Sequence, residues 1–119
     1  MDWKEIEFKK VDYVERCIAE FEITALNFFE TIYEDVIHYG AFKVKVYERQ
    51  VGETYIGVTN LRLQDSFGGY EGGLGSGKSM EQALENTVNN FIENIMEYKS
   101  KKGMNLSKED FVLLAYDEF

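Results

Sequence analysis

The chain has 119 residues, of which 22 are acidic and 13 basic, giving a formal net charge of −9; 45% of it is apolar and 15% aromatic. A chain of this size and composition can build one core without staples, so it is read as a single domain over residues 1–119 and not as a disordered acidic tail. Its negative field repels phosphate backbones and anionic lipid, which argues against direct nucleic-acid or membrane binding and directs attention to basic protein surfaces.

The opening residues MDWKEIEFKK contain no apolar leader segment, and residues 3–9 fit either the start of a helix or a short strand through Ile6 and Phe8. Val11, Val14, Ile18, Phe21, Ala25, Phe28, Ile32 and Val36 recur at spacings of three and four, which predicts a long helix ending near Gly40. Asp12, Glu20, Glu30 and Glu34 would line its opposite face, with Glu15 and Glu22 on one flank. AFKVKVYER, from Ala41, alternates as a strand with Phe42, Val44 and Val46 on one side. After a turn at Val51-Gly52-Glu53, TYIGVTNLRLQ reads as a second strand whose alternation changes phase near Asn60, the mark of a bulge. A third strand is expected within DSFGGYEGGLG, because a two-stranded ribbon is marginal alone.

Ser79 can cap a second helix with Gln82 as its reciprocal partner; Met80, Leu84, Val88, Phe91 and Ile95 form the buried face, and Gly103 stops it. Ser107 and Asp110 repeat the capping pattern, so KEDFVLLAY is read as a short third helix. The predicted fold is therefore α+β: a long N-terminal helix, a small antiparallel sheet of two or three strands, and two C-terminal helices. The longest apolar run, FVLLAY, is far short of the roughly twenty residues of a membrane span.

The stretch EGGLGSGKS satisfies G-x-x-x-x-G-K-[ST] at Gly72, Gly77, Lys78 and Ser79. A phosphate-binding loop needs a buried strand running directly into it and a mostly parallel sheet around it. Polar DSFGGY precedes Gly72 instead, so the stretch is read as a turn into a helix. Over residues 41–95 the order FKVKVYERQVGETYIGVTNLRL followed by GLGSGKSMEQALENTV resembles the double-stranded-RNA-binding domain. Met80, Glu81 and Gln82 stand where that family places its phosphate-gripping lysines, so the resemblance implies the topology and speaks against RNA binding. The phrase Gly-x-Ser followed by Glu-x-Ala-Leu also resembles the strand–helix junction of HicB-type antitoxins.

Nucleophilic catalysis has few candidates. Cys17 and His38 would lie about 30 Å apart on one helix. Cys17 reads as a small core residue, and His38 as a partner for the helix C-terminus. One Cys and one His cannot supply a zinc site, and no cofactor or metal is expected. The acids are more informative. Glu81, Glu85, Glu93 and Glu97, with Asn89 between, step by four along the second helix in a stripe about 24 Å long. Such rows are either ordinary solvated faces or carboxylates standing in for phosphates. Phe67, Tyr70 and Glu71 beside the glycine-rich turn, with Tyr47 and Tyr55 on the outer sheet face, either anchor a partner or fold back to cover the sheet.

In size, charge and expected element order the chain resembles small acidic phage proteins of the anti-CRISPR and anti-restriction type. That resemblance implies a non-enzymatic inhibitor acting in the cytoplasm of a host cell, where a basic nucleic-acid-binding protein such as a nuclease of a defence system accepts carboxylates in place of nucleic acid. The expected contact residues are Glu81, Glu85, Glu93, Glu97, Glu30, Glu34, Phe67, Tyr70 and Glu71. An immunity or antitoxin protein against a toxic nuclease, or a homodimer of an RNA-binding-domain-like fold, are the alternatives.

Overall fold

The computed structural model describes residues 2–34 and 36–119. A five-stranded antiparallel sheet forms the centre, with β1 (Glu15–Thr24), β2 (Ala41–Arg49), β3 (Tyr55–Gln64) and β4 (Tyr70–Gly77) side by side in that order. The last strand, β5 (Phe111–Leu113), pairs with the far half of β3. Helix α1 (Leu26–Ile32) joins β1 to β2, and α2 (Met80–Lys102) leaves β4 to lie across one face of the sheet.

Strand β2 spans the segment whose alternation predicted it, and the alternation determines what it buries. Phe42, Val44 and Val46 are in the core, and the Phe42 ring meets Phe91 of α2 edge-on at 5.0 Å. The phase change near Asn60 is a bulge: the β3–β4 register shifts between Val58 and Arg62. Thr59 Oγ1 fills the gap, accepting from the Gly73 N–H at 2.7 Å and donating to the Leu61 carbonyl at 2.8 Å. Asn60 marks the point where the other edge of β3 changes partner. Its side chain accepts from the Lys43 N–H of β2 at 2.7 Å, and its carbonyl accepts from the Leu114 N–H beyond β5 at 2.9 Å.

The long N-terminal helix is absent. Residues 15–24 form strand β1, and among the described residues of that segment only Leu26–Ile32 are helical. Ala19, Phe21 and Ile23 pair with Val46, Val44 and Phe42, so the apolar residues follow period two once Ile18 is taken up by a bulge between Cys17 and Ala19. Pairing along β2 satisfies the main-chain groups of β1 that face it and leaves the outer ones to solvent, and it places Phe21 and Ile23 against the core. The sheet accordingly has five strands where two or three were expected. Ahead of it, Trp3–Glu5 make one 3-10 turn, tied down by the Gln50 amide donating to the carbonyls of Trp3 and Ile6.

Only one of the two C-terminal helices exists. Helix α2 starts at the expected cap, with Ser79 Oγ accepting from the Gln82 N–H at 3.1 Å, and it ends at Gly103 in the left-handed region (φ 73°). The Ser107–Asp110 capping box is present, yet it closes a single 3-10 turn at Lys108–Asp110 and then releases the chain into β5. Beyond Asn60 the edge of β3 would otherwise be bare, and Phe111 enters an aromatic cluster with Phe29, Tyr33 and Tyr39. Those two gains outweigh the fewer than two further turns of helix that Phe111–Tyr116 could make. No helix among the described residues is long and apolar enough to cross a membrane.

Candidate functional site

The glycines of EGGLGSGKS are explained by packing. Cβ atoms on Gly73, Gly75 and Gly77 would collide with Phe91, with the main chain at Asn86–Thr87, and with Gln82 and Ala83, respectively. Their absence lets α2 settle directly onto β4. The helix then services the free edge of that strand with amides spaced four apart: Gln82 Oε1 accepts from the Lys78 N–H at 2.8 Å, Asn86 Nδ2 donates to the Ser76 carbonyl at 2.8 Å, and Asn90 Oδ1 accepts from the Leu74 N–H at 3.1 Å. Asn94 donates on to Asn90 at 3.3 Å. An unpaired edge is a template for another strand, and this ladder occupies it. Replacing Asn86 and Asn90 together by Ala is expected to cost about 1 kcal/mol per lost bond and to make the protein self-associate. Equilibrium sedimentation showing an unchanged monomer fraction would contradict the edge-blocking role.

Each amide directly follows an outward-pointing residue. Glu81, Glu85, Asn89 and Glu93 precede Gln82, Asn86, Asn90 and Asn94, so the amides turn to the strand and the acids to solvent. Glu81, Glu85, Glu93 and Glu97 are all exposed. Among the described residues only Glu97 is paired, with Lys101 at 3.0 Å. The second expected acidic stripe does not form. Asp12 lies ahead of β1, Glu20 on it, Glu30 on α1 and Glu34 beyond α1, so Glu30 and Glu34 share no continuous helical face with the others.

The β3–β4 turn is closed by hydrogen bonds to Asp65 and presents an aromatic ring. Asp65 Oδ1 accepts from the N–H groups of Phe67 at 2.8 Å and Gly69 at 2.9 Å, while Gly68 takes φ 86°. Phe67 at the tip is 96% exposed and does not fold back on the core. Tyr70 is half-buried, its hydroxyl donating to the Glu109 carbonyl at 3.0 Å. A shallow cleft lined by Asp65, Ser66, Glu71, Asn94, Glu97 and Lys101 joins this turn to the last half of α2. The structure thus brings Glu71 and Glu97 to one cleft beside the base of the turn, while Phe67, one residue beyond Ser66, does not line it. The signal for this was in the sequence, in the Asp-Ser-Phe-Gly-Gly turn and in the acid–amide pairs every four residues.

The sheet face away from α2 is only partly covered. Ile56 and Val58 of β3 and Leu74 of β4 open onto it, and Leu74 is 58% exposed. The last residues cross it: Lys45 is buried under the rings of Tyr116 and Phe119, 3.9 Å and 4.3 Å from their centroids, and the Tyr47 hydroxyl donates to the Phe119 carbonyl at 3.0 Å. Burial pushes the pKa of that hydroxyl up. Tyr47 therefore lies on this face as expected. Tyr55 does not: it pairs with Glu48 and packs against the core. A groove of about 710 Å³ remains between Tyr47, Ile56, Val58, Arg62, Tyr70 and Leu74, with Phe119 at its side.

Cys17 sits exposed on β1 and not in the core, and His38 lies in the segment after α1 with its ring 5.6 Å from that of Tyr33, not at a helix end. Among the described residues no three His, Cys, Asp or Glu side chains are placed to hold a metal ion. No family model, curated protein or solved structure matches the chain.

Proposed function

We propose that this protein is a non-enzymatic inhibitor that binds a basic nucleic-acid-handling protein, with carboxylates occupying positions where that partner would hold phosphates. The observation that carries the reading is the unpaired state of the α2 row. Glu81, Glu85 and Glu93 have no cation partner among the described residues, in a chain with 13 basic side chains available. Like charges four apart on a helix repel each other by a few tenths of a kcal/mol, a cost that a basic partner would relieve. Phe67 supplies what a charge row lacks. A solvated ring on a turn closed by Asp65, next to the cleft that Glu71 and Glu97 line, fits a single apolar pocket on the partner and would set register along an otherwise repetitive contact.

Glu85, Glu93 and Glu97 changed together to Gln are expected to leave stability within about 0.5 kcal/mol per site, because none is buried. The same variant is expected to abolish salt-sensitive capture of a basic nucleic-acid-binding protein from nuclease-treated bacterial lysate. In the unaltered protein that capture should be reversed by rising salt and by added duplex DNA or structured RNA. Phe67→Ala should weaken it by tenfold or more, on the order expected for a central aromatic anchor. Capture of the same protein by the triple variant, at the same salt, would sink this site assignment.

A further inference from the structure

Arg62 sits on the central strand and lines the groove on the uncovered sheet face. Its Nε is buried and has no hydrogen-bond partner, and among the described residues the guanidinium makes no ion pair. Two carboxylates line the same groove without neutralising it: Glu15 pairs with Arg49 at 3.7 Å, and Glu71 makes no ion pair. The buried Nε is out of reach from the groove, but the Nη pair of a planar guanidinium matches a carboxylate with two parallel bonds, and no carboxylate of the described residues takes them. Ile56, Val58 and Leu74 along the strands and Tyr47, Tyr70 and Phe119 around them give the groove an apolar and aromatic wall, and Thr59, Asn90 and Asn94 add neutral polar groups. A volume of about 710 Å³ lies within the range of small-molecule sites.

We infer that this groove is a binding site for a small organic monocarboxylate with an apolar or aromatic body, its carboxylate on Arg62 and its body against Ile56, Val58 and Leu74. A polyphosphate does not fit the same description. It would need several cations, and the groove offers one, with Glu15 and Glu71 at its margins. The site is independent of the acidic face of α2 and stands or falls without it.

Titration with 4-phenylbutyrate, followed by amide chemical shifts in two-dimensional NMR, tests the assignment, with 4-phenylbutan-1-ol as the uncharged probe of the same body. For a ligand of this size a dissociation constant on the order of 1 mM is expected. Saturable shifts should concentrate at Ile56, Val58, Arg62 and Leu74, and the alcohol should bind about tenfold more weakly, the value of one charge-assisted contact. Arg62→Gln should remove that preference and leave weak binding of both probes. Leu74→Glu removes an apolar contact from both probes and places a negative charge on the groove wall without touching Arg62, so it should weaken both and the carboxylate more, and the test survives if the first variant misfolds. Shifts confined to other surfaces, equal affinity for the two probes, or an anion preference retained in both variants would each overturn the inference.

Discussion

Gly75→Ala is expected to destabilise the protein by about 3 kcal/mol, the upper part of the range for overpacking, and no change at Thr87 should rescue it. A Cβ on Gly75 would lie 2.7 Å from the Asn86 carbonyl carbon and 2.8 Å from Thr87 Cα, so the obstruction is helix main chain. Gly57, its cross-strand partner on β3, faces the same residue differently. There an added Cβ meets the Thr87 hydroxyl, with Thr87 Cβ at 3.0 Å and the Ala83 carbonyl at 3.3 Å. Thr87→Ala removes that hydroxyl, so Gly57→Ala should be partly restored by it, while Gly75→Ala should not. Urea unfolding of the two single glycine variants, Thr87→Ala and the two double variants gives both coupling energies. Equal rescue at both glycines would mean that α2 shifts freely over the sheet and is not seated by its main chain.

That helix–sheet contact is also where the sequence is most legible. Strand β2, the β3 bulge at Asn60, the glycine-rich β4 and the capped α2 are local features: period two, a phase break, Ser79 and Gly103. Each carries its signal within about ten residues. The N-terminal third carries a misleading signal, because Val14, Ile18, Phe21, Ala25 and Phe28 match a helical stripe while Ala19, Phe21 and Ile23 match a strand with one bulge. What separates the two is the pairing of Ala19, Phe21 and Ile23 with β2, a contact made across some twenty residues of chain. Propensity cannot register it. The same holds for β5, whose three residues form a strand only because β2 abandons the edge of β3 at Asn60.

The candidate site divides in the same way. Glu81, Glu85, Glu93 and Glu97 were readable because a helix repeats every four residues, and Phe67 because turn chemistry around Asp65 and two glycines is local. Glu30 and Glu34 entered only through a helix that does not form. Arg62 had no signal at all in the chain. It alternates onto the outer face of β3 among apolar neighbours, and its isolation depends on Glu15 being engaged by Arg49, 34 residues further along.

Asp110→Ala is the second large effect, an expected loss of about 3 kcal/mol, because it strands a cation beside a buried site. Asp110 is 3% exposed and accepts from the Tyr98 hydroxyl at 2.6 Å, the Lys102 ammonium at 2.7 Å and the Ser107 N–H at 2.8 Å. Burial alone would raise its carboxyl, but Lys102, Tyr98 and Ser107 together hold it below its ordinary value of 3.8. A carboxylate lowered on folding stabilises the native state above its unfolded pKa and loses that contribution as pH falls through the folded value. Stability of the unaltered protein should therefore drop below about pH 4, and the part of that drop due to Asp110 should vanish in Asp110→Ala. Tyr98 acts at the other end. Burial, reinforced by Asp110, pushes its hydroxyl up to about 12 from 10.0, so its contribution is intact below pH 10.0 and is lost as pH rises towards the folded value. Asp110→Asn separates the causes: it removes the charge and keeps one acceptor oxygen, which can serve the Ser107 N–H, while its NH2 faces a Tyr98 hydroxyl that still has Gln64 Oε1 as acceptor at 3.1 Å. If Asn and Ala cost the same, the ion pair carries the stabilisation; if Asn costs much less, the hydrogen bonds do. Either way the node pins the last turns of α2 to the turn before β5, which helps to keep Glu97 in the cleft beside Asp65, Ser66 and Glu71. Loosening it should weaken partner capture even though Asp110 is buried, and unaltered capture by a demonstrably destabilised Asp110→Ala would separate the acidic face from that end of the helix.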